Sequence, residues 1–92
     1  MYVISYDIVA DKLRNKIAKT LEDFGRRVQY SVFECNLDEA KYRELHARLA
    51  LLMTDVEEGS IREYQICQTC EKRTVVIGVE KRTVSQEDVY VI

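Results

Sequence analysis

Asp7 closes an apolar run, residues 2–8, that is rich in β-branched and aromatic side chains. An acid at such a position is costly if buried without a partner. Strand ends beside loops are also where α/β folds place functional groups. A carboxylate there has the chemistry to hold Mg²⁺, a hard cation that often takes only one or two carboxylates from protein and keeps several waters. The same spacing equally suits an aspartate that caps the turn leading to Asp11. Two copies facing each other across a two-fold axis could share one cation, and one acid per chain would then suffice.

Other candidates are weaker. Ser31 and Phe33 stand where the alternation of an extended stretch slips, which means a bulge, a bend or a tight turn; bulges are over-represented beside active sites but also serve packing alone. Cys67-Gln68-Thr69-Cys70 is a single CxxC pair. A structural zinc site wants four ligands, usually two such pairs, so two neighbouring thiols without metal are expected. A redox role would want the pair at a helix N-terminus after a strand. His46 has no cysteine or serine partner at a recognisable spacing and reads as a surface histidine. No phosphate-cradling glycine loop, nucleophile elbow or HExxH is present.

The net charge of −2 does not suggest a nucleic-acid binder, but the charge is unevenly spread. Residues 1–30 hold six Lys/Arg against four Asp/Glu, a net of +2; residues 31–92 hold eight against twelve, a net of −4. Lys12, Arg14, Lys16, Lys19, Arg26 and Arg27 crowd into 12–27, opposed there only by Glu22 and Asp23. A local patch, not overall charge, governs phosphate binding, although such a cluster also suits a solvated helix face. No apolar run approaches the ~18 residues needed to cross a bilayer. The first residues lack the basic flank and small-residue cleavage site of a signal peptide. With an odd count of three cysteines, a cytoplasmic protein without membrane contact is expected.

The elements that must position these residues follow from periodicity. Residues 2–8 read as a central strand. Asp11 is a fair cap for a helix whose stripe is Leu13, Ile17, Leu21 and Phe24, stopped by a left-handed Gly25. In residues 27–37, Val28, Tyr30 and Val32 share one face, whereas Phe33, Cys35 and Leu37 continue on the other. The stretch is either one kinked strand or two short strands. Asp38 caps a second helix with stripe Tyr42, Leu45, Leu49, Leu52 and Met53. Residues 61–67 alternate as a strand, 75–79 read as a further strand, and 88–92 as a terminal one. This is an α+β, ferredoxin-like β-α-β-β-α-β order in a single domain, residues 1–92. The extra C-terminal strand, within a dimerisation segment at 80–92, is expected to pair across a homodimer.

The block Gly25-Arg26-Arg27-Val28-Gln29-Tyr30-Ser31-Val32-Phe33-Glu34 resembles the second-strand motif of the CRISPR-associated protein 2 family nearly residue for residue. Tyr6-Asp7-Ile8, Asp11 and Leu13-Arg14-Asn15-Lys16 match as well, and the resemblance covers essentially the whole chain. It implies a ferredoxin-like homodimer that serves CRISPR spacer acquisition beside an integrase subunit. It also implies Mg²⁺-dependent endonuclease activity on RNA or double-stranded DNA, with Asp7 as the metal residue. Family residues linked to activity or substrate map onto Tyr6, Arg14, Lys16, Arg27, Ser31 and Phe33. Asp7, Tyr6, Ser31 and Phe33 are thus the expected catalytic set, and Arg14, Lys16 and Arg27 the expected phosphate contacts. Lys16 stands where some members have arginine, a point charge in place of a fork. The alternative function is a non-catalytic adaptor that bridges integrase dimers and holds the DNA duplex.

Overall fold

The N-terminal apolar run forms β1 (Tyr2–Asp7), an interior strand hydrogen-bonded on both sides. The computed structural model describes residues 1–78. After β1 come α1 (Asp11–Glu22), β2 (Arg26–Gln29), β3 (Val32–Cys35), α2 (Glu39–Leu52), β4 (Ser60–Gln65) and α3 (Gln68–Lys72). The sheet order is β2-β3-β1-β4 and every neighbouring pair is antiparallel. This is the ferredoxin-like arrangement, with the split β-α-β units interleaved.

The register fixes which side chains share a face. Ile4 lies opposite Phe33 on β3 and Glu63 on β4, and Tyr2 lies opposite Cys35 and Gln65. Ile4, Tyr6, Phe33 and Cys35 meet Ile17, Ala18 and Leu21 of α1 and Leu45 and Leu49 of α2 in one buried cluster. Both helices therefore cover the same face. Each large apolar side chain buried there contributes about 1.5–3 kcal/mol. The opposite parity carries Val3, Ser5 and Asp7, flanked by Val32, Glu34, Arg62 and Tyr64.

The pattern slip resolves into two strands. β2 and β3 form a hairpin turning at Tyr30 and Ser31, with a register irregularity between Arg27 and Gln29. Turn and bulge together let Val28 and Val32 share a parity that Phe33 and Cys35 do not.

Three local expectations are corrected. Asp11 is not the cap: Ala10 holds that position without a side-chain hydrogen bond, and Asp11 opens α1 itself. α1 ends at Glu22, and Gly25 is not left-handed. Its role is close approach, because a Cβ there would stand 2.3 Å from the Glu34 carbonyl oxygen and 2.6 Å from Cys35 Sγ. Finally, no strand forms over residues 75–78; the chain instead makes the short α3 just before them. Val79 and the 80–92 segment, with its expected terminal strand, lie outside the described residues. Asp38 does cap α2, accepting the Lys41 N–H at 2.8 Å. Among the described residues no helix is long and apolar enough to cross a membrane.

Candidate functional site

Successive residues of a strand point to opposite faces, so Tyr6 and Asp7 part company. Tyr6 is 4% exposed and belongs to the core, whereas Asp7 is exposed on the other parity. No hydrogen bond or ion pair from the described residues engages the Asp7 carboxylate. The Asp7 backbone is held against Ser60 of β4. Gly59 makes that approach possible: its φ is +124°, and a Cβ there would lie 3.0 Å from the Asp7 carbonyl oxygen and 3.0 Å from Ile8 Cδ1.

Such a carboxylate fits a hard divalent cation by donor chemistry: it is an oxygen ligand, reachable and uncommitted. Among the described residues no group of three or more His, Cys, Asp or Glu side chains is placed to hold a metal.

Arg14 is occupied rather than free. Its Nη1 donates to the carbonyls of Ile8 at 3.0 Å and Val9 at 3.2 Å, and its Nη2 pairs with the Asp11 carboxylate. These bonds clasp the loop between Asp7 and α1. The Tyr6 hydroxyl donates to the Tyr30 carbonyl at 3.3 Å, and the Tyr6 N–H donates to Ser31 O at 3.1 Å. Ser31 is thereby held across from Tyr6, one residue from Asp7. Phe33 is fully buried, its ring centroid 6.4 Å from that of Tyr6. The expected catalytic set is thus split: Asp7 is exposed and Ser31 partly so. Tyr6 and Phe33 are buried in the core.

Lys16 and Arg27 come together with Lys12 and Lys19 of the same basic cluster. Lys12, Asn15, Lys16, Lys19 and Arg27, together with Ala18 and the acidic Glu22, line an open groove of about 520 Å³ on the outside of α1 and the start of β2. The signal was present in the spacing, since positions 12, 16 and 19 share one helical face. Beside it, Tyr30 is 70% exposed, with the Arg14 and Arg27 guanidinium carbons 5.8 and 6.0 Å from its ring centre. Arg27 also lies 5.2 Å over the Phe33 ring. A cationic groove beside an exposed aromatic ring can take phosphates and stack an unpaired base.

The family model described as CRISPR associated protein Cas2 matches residues 1–74. The chain belongs to that family. A relative from Chloroflexus aurantiacus, named CRISPR-associated endoribonuclease Cas2 1, is 43% identical over 91 residues, spanning 99% of this chain and 98% of its own. The solved Cas2 of Streptococcus pyogenes matches with a TM-score of 0.71 and 30% identity over 84% of this chain and 98% of that one. A chain of a partial Cas6-RT-Cas1–Cas2 complex matches with a TM-score of 0.72 and 33% identity over 83% of this chain and 88% of that one. At these levels of identity and coverage, the ferredoxin-like fold is that of the Cas2 family.

Two further groups of this Cas2-family chain lie away from Asp7. Exposed His46 is not solitary, since its Nδ1 is 3.0 Å from both carboxylate oxygens of Glu63. Tyr42 donates to the same carboxylate at 2.6 Å, which is the main reason its phenol is pushed up to about 12. Tyr42 also stacks on Tyr2 with centroids 4.2 Å apart, so the trio joins α2 to β4 and β1. Cys35 is buried, and desolvation pushes its thiol up to about 11. Cys67 and Cys70 are exposed free thiols at the start of α3.

Proposed function

We propose that the chain is a homodimeric, nucleic-acid-binding component of CRISPR spacer acquisition that cleaves phosphodiester bonds of RNA or double-stranded DNA with a divalent cation, Mg²⁺ foremost, at Asp7. The observation that carries this reading is the exposed, uncommitted Asp7 carboxylate on the sheet face that α1 and α2 leave open. Two such faces apposed in a dimer would bring two Asp7 side chains toward one another. A bound divalent cation would supply Lewis acidity and a water of lowered pKa.

The chain's own residues do the rest. Asp7 of each copy holds the cation. Arg14 clasps the loop that follows Asp7, and the Tyr6 hydroxyl holds the Tyr30 carbonyl, so the strand end and the hairpin turn move as one unit. Lys16 and Arg27, with Lys12 and Lys19, bind phosphates along the α1 groove. Arg14, whose Nη1 bonds the Ile8 and Val9 carbonyls and whose Nη2 pairs with Asp11, while its buried Nε finds no partner among the described residues, contributes field and a cation–π contact to Tyr30. Ser31, whose backbone is held against Tyr6 and whose side chain is partly exposed, is a further polar residue for substrate contact. The names of the relatives as endoribonucleases support cleavage of RNA. The Cas1-containing complex supports an integrase partner.

Asp7→Ala tests this reading. Cleavage of labelled RNA and duplex DNA in Mg²⁺ should fall at least ~100-fold, to the level of wild type in EDTA, while nucleic-acid binding persists. Full cleavage by the variant would end the proposal.

A second reading is favoured by one observation: among the described residues no group of three or more His, Cys, Asp or Glu side chains forms around Asp7, which makes a thin active site. The dimer would then act as an adaptor that holds duplex DNA between integrase subunits. In that case Asp7→Ala retains spacer acquisition, whereas Lys16→Glu with Arg27→Glu abolishes it.

A further inference from the structure

Cys67 and Cys70 do not line the α1 groove and follow the far end of β4 from Ser60, the partner of Asp7. They lie where β4 leaves the sheet. The Ile66 N–H donates to the Met1 carbonyl at 2.8 Å and the Met1 ammonium to the Ile66 carbonyl at 3.1 Å, so the strand end is pinned immediately before the pair. Cys67 then takes the cap position of α3, with extended backbone, and its Sγ accepts the Cys70 N–H at 3.5 Å. Both residues are exposed.

Two thiols three residues apart around one helix start, with the Cys70 N–H on Cys67 Sγ and both side chains open to solvent, are placed for disulfide exchange. Their environments differ. Cys67 accepts hydrogen bonds from the Cys70 backbone and thiol, which favours its thiolate, and its pKa lies below the ordinary value. Cys70 faces that sulfur and is shifted the other way, by the same hydrogen bond and by the charge of Cys67. The donors named, and not the dipole of a five-residue helix, make the difference. Cys35 supplies an internal contrast: it is fully buried and its thiol is held neutral.

We propose that Cys67 and Cys70 form a thiol–disulfide exchange site whose substrate is a low-molecular-weight disulfide. The Cys67 thiolate attacks one sulfur of the disulfide RS–SR. The S–S bond breaks, one RS⁻ leaves and is protonated, and Cys67 carries a mixed disulfide. Cys70 loses its proton to solvent and attacks Cys67 Sγ. The second RS⁻ leaves, and a Cys67–Cys70 disulfide remains. Two protein thiols are oxidised by two electrons and one external disulfide is reduced to two thiols. The site is independent of the nuclease and adaptor readings.

The test uses the full chain, reduced and then exposed to glutathione disulfide, with adducts located by mass spectrometry of alkylated peptides. Wild type should form the Cys67–Cys70 disulfide while Cys35 stays free. Cys70→Ser should trap glutathione on Cys67. Cys67→Ser, which keeps a good capping residue, should acquire glutathione on Cys70 about tenfold more slowly. Wild type that stays reduced in excess glutathione disulfide, equal adduct rates in the two variants, or Cys35 reacting as fast as Cys67 would each overturn the proposal.

Discussion

Alternation along β1 divides the work between adjacent residues. Tyr6 enters the core and ties the strand to the hairpin turn through its hydroxyl, while Asp7 faces outward with no ion pair among the described residues. Asp7 could be recognised in the sequence because a polar residue closing an apolar strand is conspicuous. The burial of Phe33 could not be assigned, because the slip near residue 31 hides which parity faces the helices, and that of Tyr6 could not because β1 is apolar on both parities. Their expected roles came from family resemblance, which reports that a residue matters but not how. A fully buried Phe33 beside Tyr6 matters through packing. Phe33→Ala should therefore lower unfolding free energy by ~3–5 kcal/mol in urea titrations, with any loss of activity tracking loss of folded protein.

At the scale of elements, the helices were legible from their stripes, and the cap at Asp38 from its chemistry. What periodicity could not show was how closely backbones approach. Gly25 looked like a helix stop, yet it is demanded by the Glu34 carbonyl across the hairpin. The apolar 75–77 run looked like a strand, but side-chain pattern alone does not supply a neighbour to pair with. Gly59 sits in the turn before β4 and governs how that turn meets the end of β1. With a φ of +124° and the Asp7 carbonyl 3.0 Å from any added Cβ, Gly59→Ala should cost about 1–3 kcal/mol of stability, read as a lowered urea midpoint. An unchanged midpoint would show that the turn adapts without strain.

For the whole molecule, two buried or half-buried groups set the alkaline limit. Burial raises the Cys35 thiol from its ordinary 9.0 to about 11, and the Glu63 hydrogen bond raises the Tyr42 phenol from 10.0 to about 12. Both are neutral acids with raised pKa values, so their stabilisation is complete below about pH 9 and is lost as pH climbs through 9–12. Urea midpoints should hold steady from neutrality to pH 9 and then fall, and Cys35→Ala should remove the earlier part of that pH dependence.

The same scale holds the central claim, the proposal that two chains share one cation between their Asp7 side chains. The direct measurement is calorimetric titration of the wild-type protein with Mg²⁺ or Mn²⁺, alongside Asp7→Ala. The account predicts one cation bound for every two chains and no binding by the variant. A full cation per chain, or unchanged binding by Asp7→Ala, would contradict it.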